Sequence, residues 1–222
     1  MPRDFRKLIA EKVTESWQTT PHFFVTREIG AAALADRQQR AREASPDLRI
    51  TATDLMLEAL ATAVADRVDA PQVDIGLAVA SQRGVMIPVL RDVLAADLGD
   101  LARKRAAAVE RGRAARLSPA DLDDPPFTTL SNLGPFGVDA FTGVIPLGQA
   151  SMLTVGRISR RLVVDPDDTP RVRPMFTAIL NADHRVLDGA DAARVLERFA
   201  TAVDAAESTF WRSSEPVLDR GD

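Results

Sequence analysis

The stretch that most limits the fold lies between residues 175 and 203, where a strand, a tight turn and a helix are predicted in direct succession. Residues 175–180 form a short apolar run that is typical of a buried strand. After the turn, apolar residues recur at intervals of three or four, as on one face of a helix: Ala192, Leu196, Phe199 and Val203. Two rigid elements therefore flank the ten residues 181–190.

His184 lies in those ten residues and is one of only two histidines in the chain. We expect it on a tight turn at the end of the strand, where a rigid scaffold can aim an imidazole as a general base. Asp188 stands four positions later, and Gly189 follows it. The spacing alone leaves a second interpretation open, in which His184 is a hydrogen-bonded structural residue, Asp188 caps the following helix and Gly189 eases the turn.

The composition excludes several kinds of site. Hydrophobic residues make up 45% and charged residues 27% of the 222 residues, and the net charge of −4 contains no block of like charge that would indicate nucleic-acid binding. The chain has no cysteine, which excludes disulfides, thiolate metal ligands and a cysteine nucleophile, and with two histidines we expect no zinc site. We find no signal peptide and no apolar run of about 20 residues, so we expect a soluble, cytoplasmic protein without a membrane segment.

The remaining pattern predicts one mixed α/β domain, because no linker rich in Gly, Pro or Ser divides the chain and no internal repeat is found. Apolar periodicity and turn signals place the elements. Helices are predicted over 5–17, 30–43, 53–67 and 97–113, and strands over 21–26, 73–80, 85–90, 127–133, 149–155 and 160–164.

Seven short segments carry a resemblance to a known family. They are residues 6–10 (RKLIA), 19–23 (TTPHF), 73–79 (VDIGLAV), 87–92 (IPVLRD), 117–119 (LSP), 127–137 (FTTLSNLGPFG) and 183–189 (DHRVLDG). In this order they resemble the catalytic domain of dihydrolipoyl acyltransferases, the E2 components of 2-oxo acid dehydrogenase complexes. The resemblance covers almost the whole chain. It implies an α/β fold like that of chloramphenicol acetyltransferase, with a mixed sheet flanked by helices, and a homotrimer whose active sites lie at the subunit interfaces.

The reaction that the resemblance implies moves an acyl group between the thiol of coenzyme A and a dihydrolipoyl group. Coenzyme A is then a substrate, the lipoyl group is supplied by another chain, and no metal is expected. His184 matches the family's general base. Ser131 matches its hydroxyl position and is the candidate donor to the oxyanion of the tetrahedral intermediate. The alternative for Ser131 is a turn residue that bonds the local backbone.

Four further residues receive roles from the motif matches. The acid in the family's fold pairs with an arginine of the first helix, so Asp188 and Arg6 are expected to organise the site without transferring protons. Asn132 is expected either to assist nearby or to form the turn that follows the strand. His22 belongs to a matching segment, and we interpret it as structural.

The chain departs from the family pattern in its domain content. We expect a catalytic domain over 1–207 and a polar tail over 208–222, with no lipoyl or partner-binding domain. Two cases stay open: an isolated core of a larger protein, or a free-standing acyltransferase whose acyl carrier is a separate lipoyl-bearing protein or free coenzyme A. The E1 and E3 components are further candidate partners. Family cores end in an apolar tail that joins trimers into cages. The charged ending here, residues 217–222, predicts a trimer that stops at that size.

Two rival functions stay open at this point. One is a free-standing acetyltransferase that uses the same histidine to deprotonate a hydroxyl of a small molecule. The other is a structural core subunit without catalysis. Retention of His184, Asp188 and Ser131 together argues against the structural core.

Overall fold

Helices and strands alternate through residues 5–68, 72–121 and 124–204, which are the parts of the chain that the computed structural model describes. The helices are α1 (Phe5–Thr19), α2 (Ala32–Ala44), α3 (Ala52–Val64), α4 (Leu98–Arg113) and α5 (Gly189–Asp204). The strands are β1 (His22–Gly30), β2 (Ile75–Leu77), β3 (Val79–Ser81), β4 (Gly84–Met86), β5 (Val89–Leu90), β6 (Thr128–Asn132), β7 (Ser151–Val155), β8 (Ser159–Val164) and β9 (Pro170–Asp183).

Seven of these strands form one mixed sheet in the order β1-β9-β7-β6-β2-β5, with β8 pairing to the first half of β9. β6 runs parallel to both β2 and β7, and the other pairs in the sheet are antiparallel. β3 and β4 form a separate hairpin. The predicted fold class, a mixed sheet with helices packed on it, is confirmed.

One face of the sheet carries the hydrophobic core. Leu130 lies opposite Leu153, Leu153 opposite Leu180, and Leu180 opposite Val25, so a row of aliphatic side chains crosses four strands. α3 and α5 pack on this side, and their inward residues belong to the same buried cluster as the leucines. Between α5 and β9, the rings of Phe199 and Phe176 meet edge to face, with centroids 6.4 Å apart.

The opposite face carries a row of mostly polar residues. Because successive side chains of a strand point to opposite faces, Ser131, its partner Thr154 and the partner of Thr154, Ile179, point away from the helical core. A crossing segment without helix or strand, residues 138–150, and α1 lie over this side. The second face is therefore covered by α1 and an irregular segment, the kind of segment that often carries binding residues.

Two helices begin with hydrogen bonds between side chains and backbone N–H groups. The Asp54 carboxylate accepts from the backbone N–H and the hydroxyl of Thr51, at 2.7 and 2.8 Å, in a capping box at the start of α3. Asp97 caps α4 by accepting from the Asp100 N–H at 2.8 Å. These contacts explain why the helices start within one or two residues of the predicted positions.

The predicted strands differ from the observed ones where tertiary contacts determine the ends of a strand. The run predicted over 73–80 is interrupted at Ala78, whose N–H donates across to the Leu130 carbonyl, so β2 and β3 belong to different sheets. The run over 85–90 is divided in the same way between β4 and β5. β1 and β9 are longer than predicted, because pairing over nine residues extends both. The predicted tail, 208–222, lies outside the described residues.

Within the ranges given above, no helix combines the length and the apolar character that crossing a lipid bilayer would need.

An ion pair between Arg111 of α4 and the buried Asp121 predicts acid sensitivity. Asp121 is 4% exposed, accepts from Arg111 Nη2 at 2.7 Å and also accepts from Ser118, and the Arg111 hydrogen bond lowers its pKa to about 2. A depressed native pKa gives stability that is present above the unfolded value of about 3.9 and is lost as the pH falls towards 2. Because Arg111 is 41% exposed and solvent screens the pair, we expect this loss to be about 1 kcal/mol.

Urea unfolding of the wild type and Asp121→Asn, at about pH 5 and about pH 2.5, measures this contribution. The wild type should lose more stability than the variant between the two pH values. Equal losses would show that the ion pair does not contribute.

Candidate active site

His184 occupies the first position after β9, as the sequence predicts. Its backbone N–H donates to the Pro21 carbonyl at 3.0 Å, which joins the turn to the segment between α1 and β1. The side chain is exposed, and its ring lies against Phe23 with centroids 4.8 Å apart. Neither ring nitrogen is hydrogen-bonded to another residue of the described ranges, so both nitrogens are accessible to a bound molecule.

Asp183 and Arg185 hold the turn on either side of His184. Arg185 donates to the Asp183 carboxylate from Nε at 3.0 Å and from Nη2 at 2.6 Å, and its backbone N–H also donates there, at 3.0 Å. Asp183 is 3% exposed, and the Arg185 hydrogen bonds lower its pKa. The Asp183 carbonyl further accepts from the N–H groups of Val186 and Leu187, at 3.0 Å each. These bonds fix the backbone that carries the imidazole.

Asp188 begins α5. Its carboxylate accepts from the Asp191 N–H at 2.7 Å, and Asp191 accepts in return from the Asp188 N–H at 3.3 Å. Arg6 lies on the exposed side of α1 and forms no ion pair with a residue in the described part of the chain. The capping interpretation of Asp188 is therefore present in the structure, while its pairing with Arg6 stays a prediction.

Ser131 lines a cavity of about 550 Å³ on the face of the sheet opposite the helical core. The side chain is 9% exposed, and its hydroxyl forms no hydrogen bond with another described residue. The walls come from α1, from the β4 region and from the crossing segment, and they are mostly apolar: Leu8, Ile9, Val13, Ile87, Phe141 and Met152. A free hydroxyl in an apolar cavity is suited to donate a hydrogen bond to a bound oxygen atom.

Asn132 and His22 both have local structural bonds. Asn132 accepts from the Gly134 N–H at 2.9 Å, and its amide donates to Thr53 at 3.1 Å, so it forms the turn that follows β6. His22 Nδ1 lies 2.8 Å from the Thr20 carbonyl, and Nε2 lies 3.0 Å from the Ile145 nitrogen. The expected structural role of His22 agrees with these contacts.

The candidate base and the candidate oxyanion donor do not share a cavity within one chain. Among the described residues, the walls around Ser131 do not include His184. A neighbouring cavity of about 510 Å³ is lined by Asp183 and Arg185 of the histidine's turn and by Thr20. A single chain therefore presents the base and the hydroxyl at two separate places on its surface.

A comparison with known protein families identifies the family of this chain. The model of the 2-oxoacid dehydrogenases acyltransferase family, catalytic domain, matches residues 2–211. The chain belongs to this family. The match includes both candidate residues, His184 and Ser131, and every helix and strand of the catalytic domain described above.

Two relatives show how much of a whole protein this catalytic domain represents. The dihydrolipoyllysine-residue acetyltransferase component of the pyruvate dehydrogenase complex from Rickettsia bellii (strain RML369-C) is 29% identical over 217 residues, which cover 91% of this chain and 51% of that protein. The mitochondrial component of the same description from Schizosaccharomyces pombe is 34% identical over 218 residues, which cover 90% of this chain and 44% of that protein. The chain thus spans about half the length of the curated relatives it matches.

A solved structure agrees with the fold. Dihydrolipoamide acetyltransferase from Azotobacter vinelandii superposes with a TM-score of 0.83 at 25% identity, over 89% of this chain and 87% of that one. That structure comes from an investigation of one serine, one histidine and one asparagine in the catalytic mechanism. The catalytic domain described here therefore has the architecture of an acetyltransferase catalytic domain.

Proposed function

We propose that this catalytic domain transfers an acyl group between coenzyme A and a dihydrolipoyl thiol. The observation that carries the proposal is the family match over residues 2–211, which includes a histidine on a rigid turn and a free serine hydroxyl in an apolar cavity. The relatives from Rickettsia bellii and Schizosaccharomyces pombe are acetyltransferase components of the pyruvate dehydrogenase complex. Coenzyme A is a substrate in this proposal, and the lipoyl group is carried by another chain.

The chemistry needs a base because a thiol with a pKa of about 8.5 is mostly protonated near neutral pH, and the thiolate is the nucleophile. We assign this role to His184. The unprotonated nitrogen of its neutral imidazole can accept the thiol proton as the sulfur attacks the thioester carbonyl, and the bonds around Asp183 keep its backbone fixed. When the intermediate collapses, the imidazolium returns the proton to the departing thiolate.

Ser131 is assigned to the oxyanion. Attack on the thioester carbonyl places a negative charge on its oxygen, and a donor already aimed at that position stabilises the transition state more than the ground state. The apolar walls of the cavity strengthen such a hydrogen bond by excluding water. They also match the aliphatic arm of a lipoyl group.

Asp188 is assigned an organising role, together with Arg6. In the Azotobacter vinelandii protein the histidine and the asparagine under study are four positions apart, the spacing that separates His184 from Asp188 here. An asparagine cannot accept a proton as a carboxylate does, which supports an organising role at this position. The capping bond from the Asp191 N–H to Asp188 provides that role within one chain.

We further propose a homotrimer in which the site forms between subunits. The separation of His184 from the Ser131 cavity within one chain supports this arrangement, because a second copy can bring its histidine to the serine of the first. Partners beyond the trimer are a lipoyl-bearing protein and the E1 and E3 components of a 2-oxo acid dehydrogenase complex.

Acyl transfer from a panel of acyl-coenzyme A thioesters to free dihydrolipoamide tests the proposal. Turnover with at least one thioester is expected, and the best substrate names the acyl group. Coenzyme A at 100 times its dissociation constant should also stabilise the fold by about 2.7 kcal/mol. A folded protein that neither turns over any thioester nor is stabilised by coenzyme A would refute the proposed function.

A further inference from the structure

The crossing segment is fastened to the rest of the molecule largely by side chains at its centre. Thr154 Oγ1 donates to the Phe141 carbonyl at 2.6 Å, and the Gly143 N–H donates to the buried Asn181 side chain at 3.0 Å. Both backbone polar groups of Ile145 are bonded, because its N–H donates to His22 and its carbonyl accepts from Ser16 at 2.5 Å. Each anchor binds a main-chain atom of the segment that walls the Ser131 cavity.

His22 is the anchor that also adjoins the turn of His184. It pairs with Asp183 in the register of β1 and β9, and its neighbour Pro21 accepts the His184 N–H. The two residues Pro21 and His22 therefore contact both the candidate base, through the Pro21 carbonyl, and the wall of the Ser131 cavity, through the His22 ring.

The two hydrogen bonds of His22 determine its tautomer. The Ile145 N–H is a donor, so Nε2 must be the unprotonated acceptor, and Nδ1 then carries the proton and donates to the Thr20 carbonyl. Trp17 packs on the ring with centroids 5.0 Å apart, which restricts its rotation. The ring is thus held in one orientation, with its acceptor nitrogen aimed at the crossing segment.

We propose that His22 is a positioning residue that holds the wall of the Ser131 cavity in its binding shape by accepting the Ile145 N–H. For its kinetic consequences this inference rests on the proposed acyltransferase function. His22 does not line the Ser131 cavity and so would not contact the thiol substrate. Its effect on substrate binding would come from the position of the crossing segment. Its loss should therefore weaken substrate binding more than the chemical step.

Two conservative variants test whether the acceptor nitrogen Nε2, and not another part of the His22 ring, is the group that matters. The side-chain oxygen of His22→Gln reaches the place of Nε2 and retains an acceptor for Ile145. The shorter amide of His22→Asn can replace only Nδ1 and leaves the Ile145 N–H unbonded. Gln38→Ala is the matched control, because it removes another side-chain bond to a backbone carbonyl, Gln38 Nε2 to Ile50 at 3.1 Å, in the helical layer.

The first measurement is amide hydrogen exchange at Ile145 in the full chain, which requires no catalytic activity. We expect exchange about 10-fold faster in His22→Asn, and near the wild-type rate in His22→Gln and Gln38→Ala. The second is steady-state kinetics, where His22→Asn should raise KM for dihydrolipoamide by about 10-fold with little change in kcat, and His22→Gln should restore KM.

The two measurements distinguish a failure of this inference from a failure of the proposed function. Unchanged Ile145 exchange in His22→Asn would overturn the positioning role even if the wild type is an active acyltransferase. A loss of kcat without a change in KM would also overturn it. Faster exchange at Ile145 in His22→Asn, with a normal rate in His22→Gln, would support the positioning role. If the wild type then showed no transferase activity, that result would count against the proposed function alone.

Discussion

A His184→Ala variant should lose acyl transfer by about 10²–10⁴-fold while its fold is retained. The loss is expected because the other charged side chains at the turn have different roles. Arg185 is a permanent cation, and the carboxylates of Asp183 and Asp188 accept hydrogen bonds from Arg185 and from the Asp191 N–H. Stability should change by less than about 1 kcal/mol, since the exposed ring is removed only from its contact with Phe23.

The measurement is initial-rate acyl transfer with the best thioester of the panel, together with thermal unfolding of both proteins. Gln39→Ala is a suitable control, because it truncates an exposed polar residue of α2 that bonds only to Glu43 among the described residues. A well-folded His184→Ala protein that keeps normal turnover would exclude the proposed mechanism.

Ser131→Ala should lower kcat by about 10²–10³-fold, with little change in KM for coenzyme A. The hydroxyl forms no hydrogen bond with another described residue, so its removal leaves no buried partner unsatisfied and should not destabilise the sheet. The effect falls on kcat because the developing oxyanion, and not the ground-state thioester, needs the donor. Ser118→Ala is the control, since that hydroxyl bonds to Asp121 and Ser118 does not line the Ser131 cavity.

Co-expression of the two variants tests the site between subunits. A mixed trimer contains interfaces where the intact His184 of one chain meets the intact Ser131 of another, and random mixing gives about a quarter of the sites this composition. Activity should therefore return in the mixture to roughly that fraction of the wild type. Activity no higher than that of the separate variants would place both residues of each site in a single chain.

The elements of the fold could be predicted from local patterns, but their pairing could not. The α5 helix and the strand before His184 follow from apolar periodicity, and both are present. The interruption at Ala78 depends on a bond to the Leu130 carbonyl, 52 positions away in the chain by the numbering of the two residues, and no local pattern reports such a contact. Strand lengths were underestimated for the same reason, because pairing decides where β1 and β9 end.

Knowledge of the candidate site divides in a similar way. His184 could be placed on its turn because a strand, a glycine and a helix surround it in the sequence. The motif match singled out Ser131, but its cavity could not be predicted, since the walls come from α1, the β4 region and the crossing segment. Asp183 and Arg185 were missed as supports of the turn. The sequence signal for this contact is an acidic residue before the histidine and an arginine after it, a spacing that permits a bidentate contact.

The way in which the crossing segment is fastened bears on how acyl selectivity can diverge. Three of its hydrogen bonds are made by main-chain atoms of Phe141, Gly143 and Ile145, so these attachments do not involve the side chains of Val144 and Leu147. Val144 and Leu147, which line the cavity, can accordingly be exchanged for larger or smaller residues while the peptide path stays in place. Under the proposed function, single replacements at these two positions can reshape the cavity for a different substrate without moving the backbone around it.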